Sequence, residues 1–474
     1  MRILSTVIGA SFVAITLAAC AGFDVTNPNQ PTLDDLLANP TRAKLTAAAT
    51  GLFSRSRSEV TSFIWRLGSM GREGINLAGN NQPDYQEPYY GPLSPSGFGG
   101  ALWQSRYGLI RDANTYIEAL GKSGDLSAGE KATSEAMAET LKALAFMYII
   151  ETRAKLGAPV DVGRAIDATP APFVTEDSVY GYALGLLNDA SAKLQANAAA
   201  EFPFPLPPGF SGFATPSTFR LFVNALIAKA NVLRATAGCG APCYTLALTA
   251  LNGSFIDATD PSQLANGVYF DFSNAPSDQA NDLSEPLDGV RYFADSLILY
   301  TRAQTTAAGI VDQRLTSKTA LATASSPQSV GGVDITGTLK FTRYFTNGQS
   351  DAAHSIPIIR NEELILLRAE ARYLTGNAAG GLSDLNYVRV NSGRLAPYGA
   401  FATNAAFIDA LLYEREFSLL WEQGTTWIDA RRFNLLTTIP VGVSPGGNVP
   451  TVMPIPSAEC AARGKSGSCT PLTG

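Results

Sequence analysis

Histidine and cysteine, on which many hydrolases and metalloenzymes depend, are scarce in this chain of 474 amino acids, whereas Asp and Glu together number 41. The single histidine, His354, excludes metal sites and catalytic schemes built on two or three imidazoles. Ser444 lies in Gly442-Val-Ser444-Pro-Gly446, which fits the G-x-S-x-G pattern of serine hydrolases. The surrounding Gly and Pro residues do not predict the strand and helix that a nucleophile elbow needs. A glycosidase would need two carboxylates at a controlled separation, and no motif selects such a pair.

Carboxylates and arginines are concentrated near residues 404–432. Within this region, Tyr413, Phe417, Leu420 and Trp421 form an apolar stripe at helical spacing. The charged residues beside the stripe are Glu414, Arg415, Glu416, Glu422, Asp429, Arg431 and Arg432. Glu362 and Glu370 are eight residues apart and so lie near one face of another predicted helix. These groups could form an acid/base pair, but we interpret them as ion pairs that hold helix ends and loops together.

Five cysteines and the first twenty residues indicate export. Arg2 is followed by an apolar stretch over residues 3–19, and Leu17-Ala18-Ala19-Cys20 resembles a bacterial lipobox. We expect a signal peptide over 1–19 and a lipid anchor, with acyl chains such as palmitate, on Cys20. Because Ala21 replaces the aspartate that often retains lipoproteins at the inner membrane, the outer membrane is favoured. The alternatives are an ordinary secretory signal or an uncleaved N-terminal anchor.

The other four cysteines form two pairs that are close in sequence. An exported chain can form disulfides, so we expect Cys239 with Cys243 and Cys460 with Cys469. A metal site built from these four thiolates is a weaker alternative, and we predict no metal and no cofactor. The net charge of −6 and the pI of about 5.1 offer no basic surface for nucleic acid.

Helical periodicity predicts the elements that must position these residues. After a tether over 20–32, Thr32 is a plausible helix N-cap. We predict helices over 114–120, 130–156, 178–196, 219–236, 244–251, 361–374, 382–390 and 404–421. The sequence also predicts long aromatic-rich loops over 78–103, 201–213 and 253–287 and a short strand over 338–344. The expected fold is all-α, with tetratricopeptide-like helical hairpins in one domain over 20–474 and little β-structure.

Several segments, read in order, resemble the SusD/RagB family of outer-membrane nutrient-binding lipoproteins. Residues 103–114 resemble its "W..Y..I..AN" helix, and 360–371 resemble its "R..E..L..AEA" helix. Further similar segments are 27–32, 141–148 with 156–160, 385–393, 413–432 and 453–459. Thr426 and Lys142 stand where the family often has arginine, and Cys460 follows the closing glutamate. These departures affect local ion pairs more than the fold.

The resemblance implies a binding protein that makes and breaks no bond. Such a protein would face the cell exterior as a lid over a SusC-like TonB-dependent barrel and capture an oligosaccharide or a peptide. Ligand contacts in the family tend to come from comparable loops, which makes candidates of Asn80, Asn81, Asp84, Tyr85, Tyr89, Tyr90 and Tyr292. These tyrosines could instead pack the loops onto the helical core or contact the transporter. The alternative functions are a surface hydrolase of glycans or peptides, and a scaffold subunit with no ligand of its own.

Overall fold

The structure, a computed structural model, describes residues 33–165, 167–325, 327–441, 447–465 and 469. It is 53% helical with 8% strand, which confirms the predicted fold class. The helices of the described residues are α1 (Leu33–Ala38), α2 (Arg42–Ser56), α3 (Val60–Met70), α4 (Pro83–Tyr90), α5 (Gln104–Lys122), α6 (Ala128–Arg153), α7 (Glu176–Ala196), α8 (Pro216–Arg234), α9 (Ala241–Asn252), α10 (Ser296–Arg302), α11 (Gln313–Lys318), α12 (Asn361–Leu374), α13 (Ala378–Val388), α14 (Asn404–Ser418), α15 (Thr425–Arg432) and α16 (Ser457–Ala462). In this part of the chain, no helix is long and apolar enough to cross a bilayer.

Short strands connect the helices and pair only two by two. They are β1 (Gly74–Asn76), β2 (Gly267–Phe270), β3 (Tyr292–Ala294), β4 (Thr319–Leu321), β5 (Gln328–Val330), β6 (Val333–Ile335), β7 (Leu339–Phe341), β8 (Phe345–Thr346), β9 (Gln349–Ser350) and β10 (Ile356–Arg360). The antiparallel pairs are β1–β3, β2–β10, β4–β7, β5–β6 and β8–β9. β7 lies inside the predicted strand over 338–344.

Helices that are neighbours in sequence pack together in the core. α6 packs against α5 and α7, α7 against α8, α8 against α9, and α12 against α13. The start of α6 is a capping box, in which Ser127 Oγ accepts from the Glu130 N–H at 3.2 Å and Glu130 Oε2 accepts from the Ser127 N–H at 2.8 Å. Thr215 caps α8, and Pro216 occupies the first helical position, where its missing N–H is harmless.

Several predicted boundaries are wrong. α5 begins at Gln104 rather than at 114, and α14 ends at Ser418 rather than at 421. Trp421 adopts a left-handed φ of 59°, which a helix cannot continue through. The predicted loop over 78–103 contains α4, and the predicted loop over 253–287 contains β2. α2, α3, α10, α11, α15 and α16 were not predicted.

Replacing Glu151 with glutamine is expected to stabilise the protein at alkaline pH. Glu151 is buried in α6, and this burial raises the pKa of its carboxyl to about 7. The folded state therefore holds the proton more tightly than the unfolded chain does. The protonated Glu151 carboxyl therefore adds fully to the free energy of unfolding below about pH 4.5, and this contribution is lost as the pH rises through about 7. Glu151→Gln removes this loss and should gain about 1–3 kcal/mol near pH 8.

Urea denaturation near pH 5 and near pH 8 checks this expectation. The half-exposed Glu135 on the same helix provides a matched control, and Glu135→Gln should change the stability little at either pH. Equal destabilisation of Glu151→Gln at both pH values would contradict a buried carboxyl with a raised pKa.

Candidate functional site

Six of the candidate ligand residues lie on α4 or just before it. Asn80 and Asn81 are exposed, and Tyr90 is half-buried. Tyr85 and Tyr89 are four residues apart on α4, and both turn into a small apolar cluster with Ile75 and Phe293. The side chain of Asn76 donates to Asp84 Oδ2 at 3.1 Å, and burial raises the pKa of Asp84.

The seventh candidate, Tyr292, is in β3 and packs among aromatic rings. Its ring lies 6.1 Å from Trp65 and 6.1 Å, edge on, from Trp421. The Arg291 guanidinium is 4.5 Å from the Tyr292 ring centroid. Tyr85, Tyr89 and Tyr292 are 6%, 3% and 4% exposed. In this conformation, all three pack loops and strands onto the core.

Tyr89 also lies at the wall of a cleft. The Arg72 guanidinium lies 4.0 Å from the Tyr89 ring centroid, and the Tyr89 hydroxyl faces Asp295 Oδ2 at 3.5 Å. Asp295 caps α10 by accepting from the Ile298 N–H at 3.1 Å. Burial raises the pKa of both Tyr89 and Asp295.

We call this cavity of about 520 Å³ the α10 cleft. It is lined by residues 294–298 with Thr301 and Arg302, by residues 333–337, and by Ile75, Tyr89 and Pro440. Its volume is within the range of about 300–1,000 Å³ that is typical of small-molecule sites. A larger groove of about 1110 Å³ lies between the start of α5 and α16, but none of the seven candidate residues lines it. The α10 cleft is therefore the candidate site.

A β-hairpin forms one wall of the α10 cleft and is attached to α4. β5 and β6 are joined by Gly331 and Gly332, whose φ values of 58° and 82° are those of a type I′ turn. Gln86 of α4 donates from Nε2 to the Ser329 carbonyl at 2.5 Å and accepts from the Gly331 N–H at 3.2 Å. A Cβ at Gly331 would lie 1.9 Å from the Tyr90 ring, so only glycine fits there.

Replacing Gln86 with alanine should loosen the hairpin without unfolding the protein. Two hydrogen bonds of about 0.5–1.5 kcal/mol each would be lost. Hydrogen exchange of peptides covering 327–337 is expected to accelerate by roughly tenfold, with no change in the helices. The exposed Gln82 precedes α4, and Gln82→Ala is the control. Unchanged exchange in Gln86→Ala would show that Gln86 does not hold the hairpin in place.

The opposite wall is α10, and an ion pair connects it to α14. Arg302 Nη2 lies 2.6 Å from Glu416 Oε2, and Glu416 is buried. The Ser296 hydroxyl is 3.1 Å from the Thr338 hydroxyl and links the start of α10 to the segment after β6.

The carboxylates of the segments 360–371 and 404–432 form ion pairs rather than an acid/base pair. Glu422 contacts Arg343 at 2.7 Å, Arg360 at 2.8 Å and Lys318 at 3.2 Å. The other pairs are Glu414 with Arg314 and Arg389, Glu362 with Arg360, Arg415 with Asp429, and Arg432 with Asp429 and Glu370. The ion-pair interpretation therefore fits, although most partners come from segments that the sequence did not indicate. Arg431 instead donates to the Glu151 carbonyl.

The other sequence features that fall within the described residues, among them the cysteines, Thr426 and Lys142, do not line the α10 cleft. The structure joins Cys239 to Cys243 and Cys460 to Cys469. The described residues contain no group of three or more metal-ligating side chains. Thr426 donates to buried Glu73 at 2.9 Å, and Lys142 lies 5.6 Å from the Tyr182 ring centroid. The lipobox, Cys20, the Thr32 cap and Ser444 lie outside the described residues.

The fold is shared with solved structures. A SusD superfamily protein of Bacteroides vulgatus superposes with a TM-score of 0.66 over 90% of this chain and 99% of that chain, at 14% identity. The chain has the fold of the SusD superfamily. A SusD-like carbohydrate-binding protein of Bacteroides fragilis superposes with a TM-score of 0.61 at 18% identity, over 89% of this chain and 98% of that chain.

A third structure with the SusD fold is NanU of B. fragilis. It superposes with a TM-score of 0.61 at 16% identity, over 94% of this chain and 100% of that chain. No protein-family model matches the sequence. No curated protein matches it either. The similarity therefore lies in the arrangement of helices and loops that defines the SusD fold.

Proposed function

We propose that this protein is a SusD/RagB-family lipoprotein, anchored through Cys20 to the outer membrane and facing the exterior. It captures a nutrient, either a glycan or a peptide, and acts as the lid of a SusC-like TonB-dependent transporter. The observation that carries this proposal is the SusD fold over 90% of the chain. One solved structure with this fold is described as a carbohydrate-binding protein, which supports a ligand-binding role.

Binding without turnover fits the site. The α10 cleft has the volume of a small-ligand pocket, and the Glu416 carboxylate behind it is paired with Arg302. A retaining or inverting glycosidase would need two carboxyl groups facing one substrate, with one free to give and take protons. Glu422, Glu414 and Glu370 instead form ion pairs with arginine side chains.

Affinity purification tests the partnership. The tagged, full-length protein is isolated from solubilised outer membranes of its own host, and co-purifying proteins are identified by mass spectrometry. We expect a TonB-dependent barrel in roughly equal amount. A Cys20→Ser variant is the control, because without its lipid it should leave the membrane fraction. If the wild-type protein brings no barrel, the lid function is wrong, and hydrolysis of glycans and peptides becomes the activity to assay.

A further inference from the structure

The lining of the α10 cleft is mainly aliphatic. The apolar residues that contribute are Ile75, Ala294, Leu297, Ile298, Val333, Ile335 and Pro440. Sugar rings are bound against open aromatic faces. Among the described residues that line the cleft, Tyr89 is the one aromatic residue, and it is buried with the Arg72 guanidinium 4.0 Å from its ring centroid. The cleft therefore offers aliphatic contacts to a ligand and no open ring face.

One wall of the cleft is the edge of a strand. All three residues of β6, 333–335, line it, and so do the next two residues, 336–337. Because side chains alternate between the two faces of a strand, a continuous run of lining residues indicates that the strand presents its backbone edge. In the described part of the chain, β6 pairs with β5 and with no other strand. Its outer edge is therefore open to another extended chain.

The register of the hairpin shows which backbone groups are on that edge. Val330 pairs with Val333 across the two-residue turn, and Ser329 pairs with Asp334. Hydrogen-bonded and non-hydrogen-bonded pairs alternate, and the pair that closes a two-residue turn is hydrogen-bonded. The N–H and C=O of Ser329 and Asp334 therefore point outward from the hairpin. The hydrogen bond from Gln86 of α4 to the Ser329 carbonyl agrees with this outward direction.

The charge in the cleft is negative. Asp334 lines it and is exposed, whereas the Asp295 carboxylate already accepts from the Ile298 N–H and faces the Tyr89 hydroxyl. Arg302, the basic residue in the lining, is paired with Glu416 at 2.6 Å. Such a site favours a ligand with a basic group, since the exposed Asp334 carboxylate would attract it and would repel an acidic ligand.

We propose that the α10 cleft binds an extended peptide with apolar side chains and a basic group, and that the peptide adds as a strand to the outer edge of β6. Backbone hydrogen bonds to Asp334 hold the main chain, and the aliphatic wall holds alternate side chains. At about 3.3 Å per residue, β6 itself matches about three peptide residues, and the lining segment that continues to 337 adds room for about two more. This inference rests on the proposed function and specifies its ligand class.

Two probes test the proposal on the full-length protein. Immobilised protein is exposed to a tryptic digest of casein, in which most peptides end in lysine or arginine, and to mixed malto-, xylo- and chito-oligosaccharides. Retained molecules are identified by mass spectrometry, and the affinity of the best-retained peptide is measured by calorimetry. We expect retained peptides to be enriched in Val, Ile and Leu.

Three variants separate backbone, charge and apolar contacts. Asp334→Pro removes the outward N–H and leaves the bonds to β5 intact, and it should weaken peptide binding at least tenfold. Asp334→Asn keeps the N–H and should weaken binding only about two- to threefold. Leu297 is 63% exposed, so Leu297→Lys should preserve the fold and weaken binding about tenfold. Melting temperatures near that of the wild type establish that each variant is folded.

The outcomes distinguish this proposal from the proposed function. Wild-type affinity in Asp334→Pro would overturn strand addition. Retention of oligosaccharides and not peptides would overturn the peptide class and leave nutrient capture standing. Retention of neither would overturn both the peptide class and ligand capture, while the co-purification experiment decides the partnership with the barrel.

Discussion

Replacing Glu422 with leucine is expected to lower the free energy of unfolding by about 3–5 kcal/mol. Glu422 is buried, and its two oxygens accept from Arg343, Arg360 and Lys318 at 2.7–3.2 Å. Lys318 is half-buried, and its partial removal from water lowers its pKa to about 8. Leucine would leave these largely buried cations without their shared counter-ion.

The pH dependence of this effect has a definite sign. Burial alone would raise the pKa of Glu422, but Arg343, Arg360 and Lys318 outweigh it and hold the pKa far below its ordinary value. The stabilisation is therefore present above about pH 4.5 and is lost as the pH falls towards the lower folded-state value. The difference between wild type and Glu422→Leu should accordingly shrink in acid.

Urea denaturation followed by tryptophan fluorescence measures the effect near pH 7 and near pH 4. The exposed ion pair between Glu118 and Lys122 on α5 provides the control, and Glu118→Gln should change the stability by less than about 1 kcal/mol. Equal effects of Glu422→Leu and Glu118→Gln would mean that the buried network contributes no more than a surface pair.

Trp421→Ala is the second large effect, with an expected loss of about 3–5 kcal/mol. The indole of Trp421 is fully buried and stacks on Phe341 with ring centroids 4.0 Å apart at an angle of 10°. Gly68 of α3 approaches the indole so closely that a Cβ there would lie 2.7 Å from it. Alanine would leave a cavity, and the tightly packed side chains around it would fill that cavity only in part.

Trp421→Phe is the matched variant, because it keeps an aromatic ring against Phe341 and should lose clearly less than alanine does. Since Tyr292 packs edge on against Trp421, the alanine variant should also accelerate hydrogen exchange in β3. Thermal and urea denaturation measure the first effect and exchange measures the second. A loss below about 1 kcal/mol in Trp421→Ala would contradict the close packing around the indole.

The sequence predicted several helices from an apolar stripe. α12 has the predicted bounds, and α8 buries Phe222, Leu226, Ala230 and Leu233 as its periodicity indicates. α3 was missed although its apolar residues recur at helical spacing, with Ser62 and Arg66 on the opposite face, so the sequence did contain a readable signal for it. α4 was missed because Pro83 and Pro88 suggested a loop, although Pro83 occupies a helix start, where proline is tolerated.

The candidate site was predicted only in part. Tyr89 lines the α10 cleft, whereas the α10 and β6 residues around it were not predicted. The β5–β6 hairpin had a readable signal, because Gly331-Gly332 between Val330 and Val333 is typical of a two-residue turn. The partners of Glu422 had none, since Lys318, Arg343 and Arg360 reach it from 62 to 104 residues away in sequence.

The α10 cleft also has a consequence for how the molecule folds. Its walls come from β1, α4, α10 and β6, and Pro440 adds a contact from near the end of the chain. Contacts between such distant segments form slowly, because closing long loops has an entropic penalty before any packing offsets it. The helices α5–α9 contact their sequence neighbours and can form earlier. The binding surface is thus expected to mature last, and fragments of the chain that fold as helical hairpins will lack it.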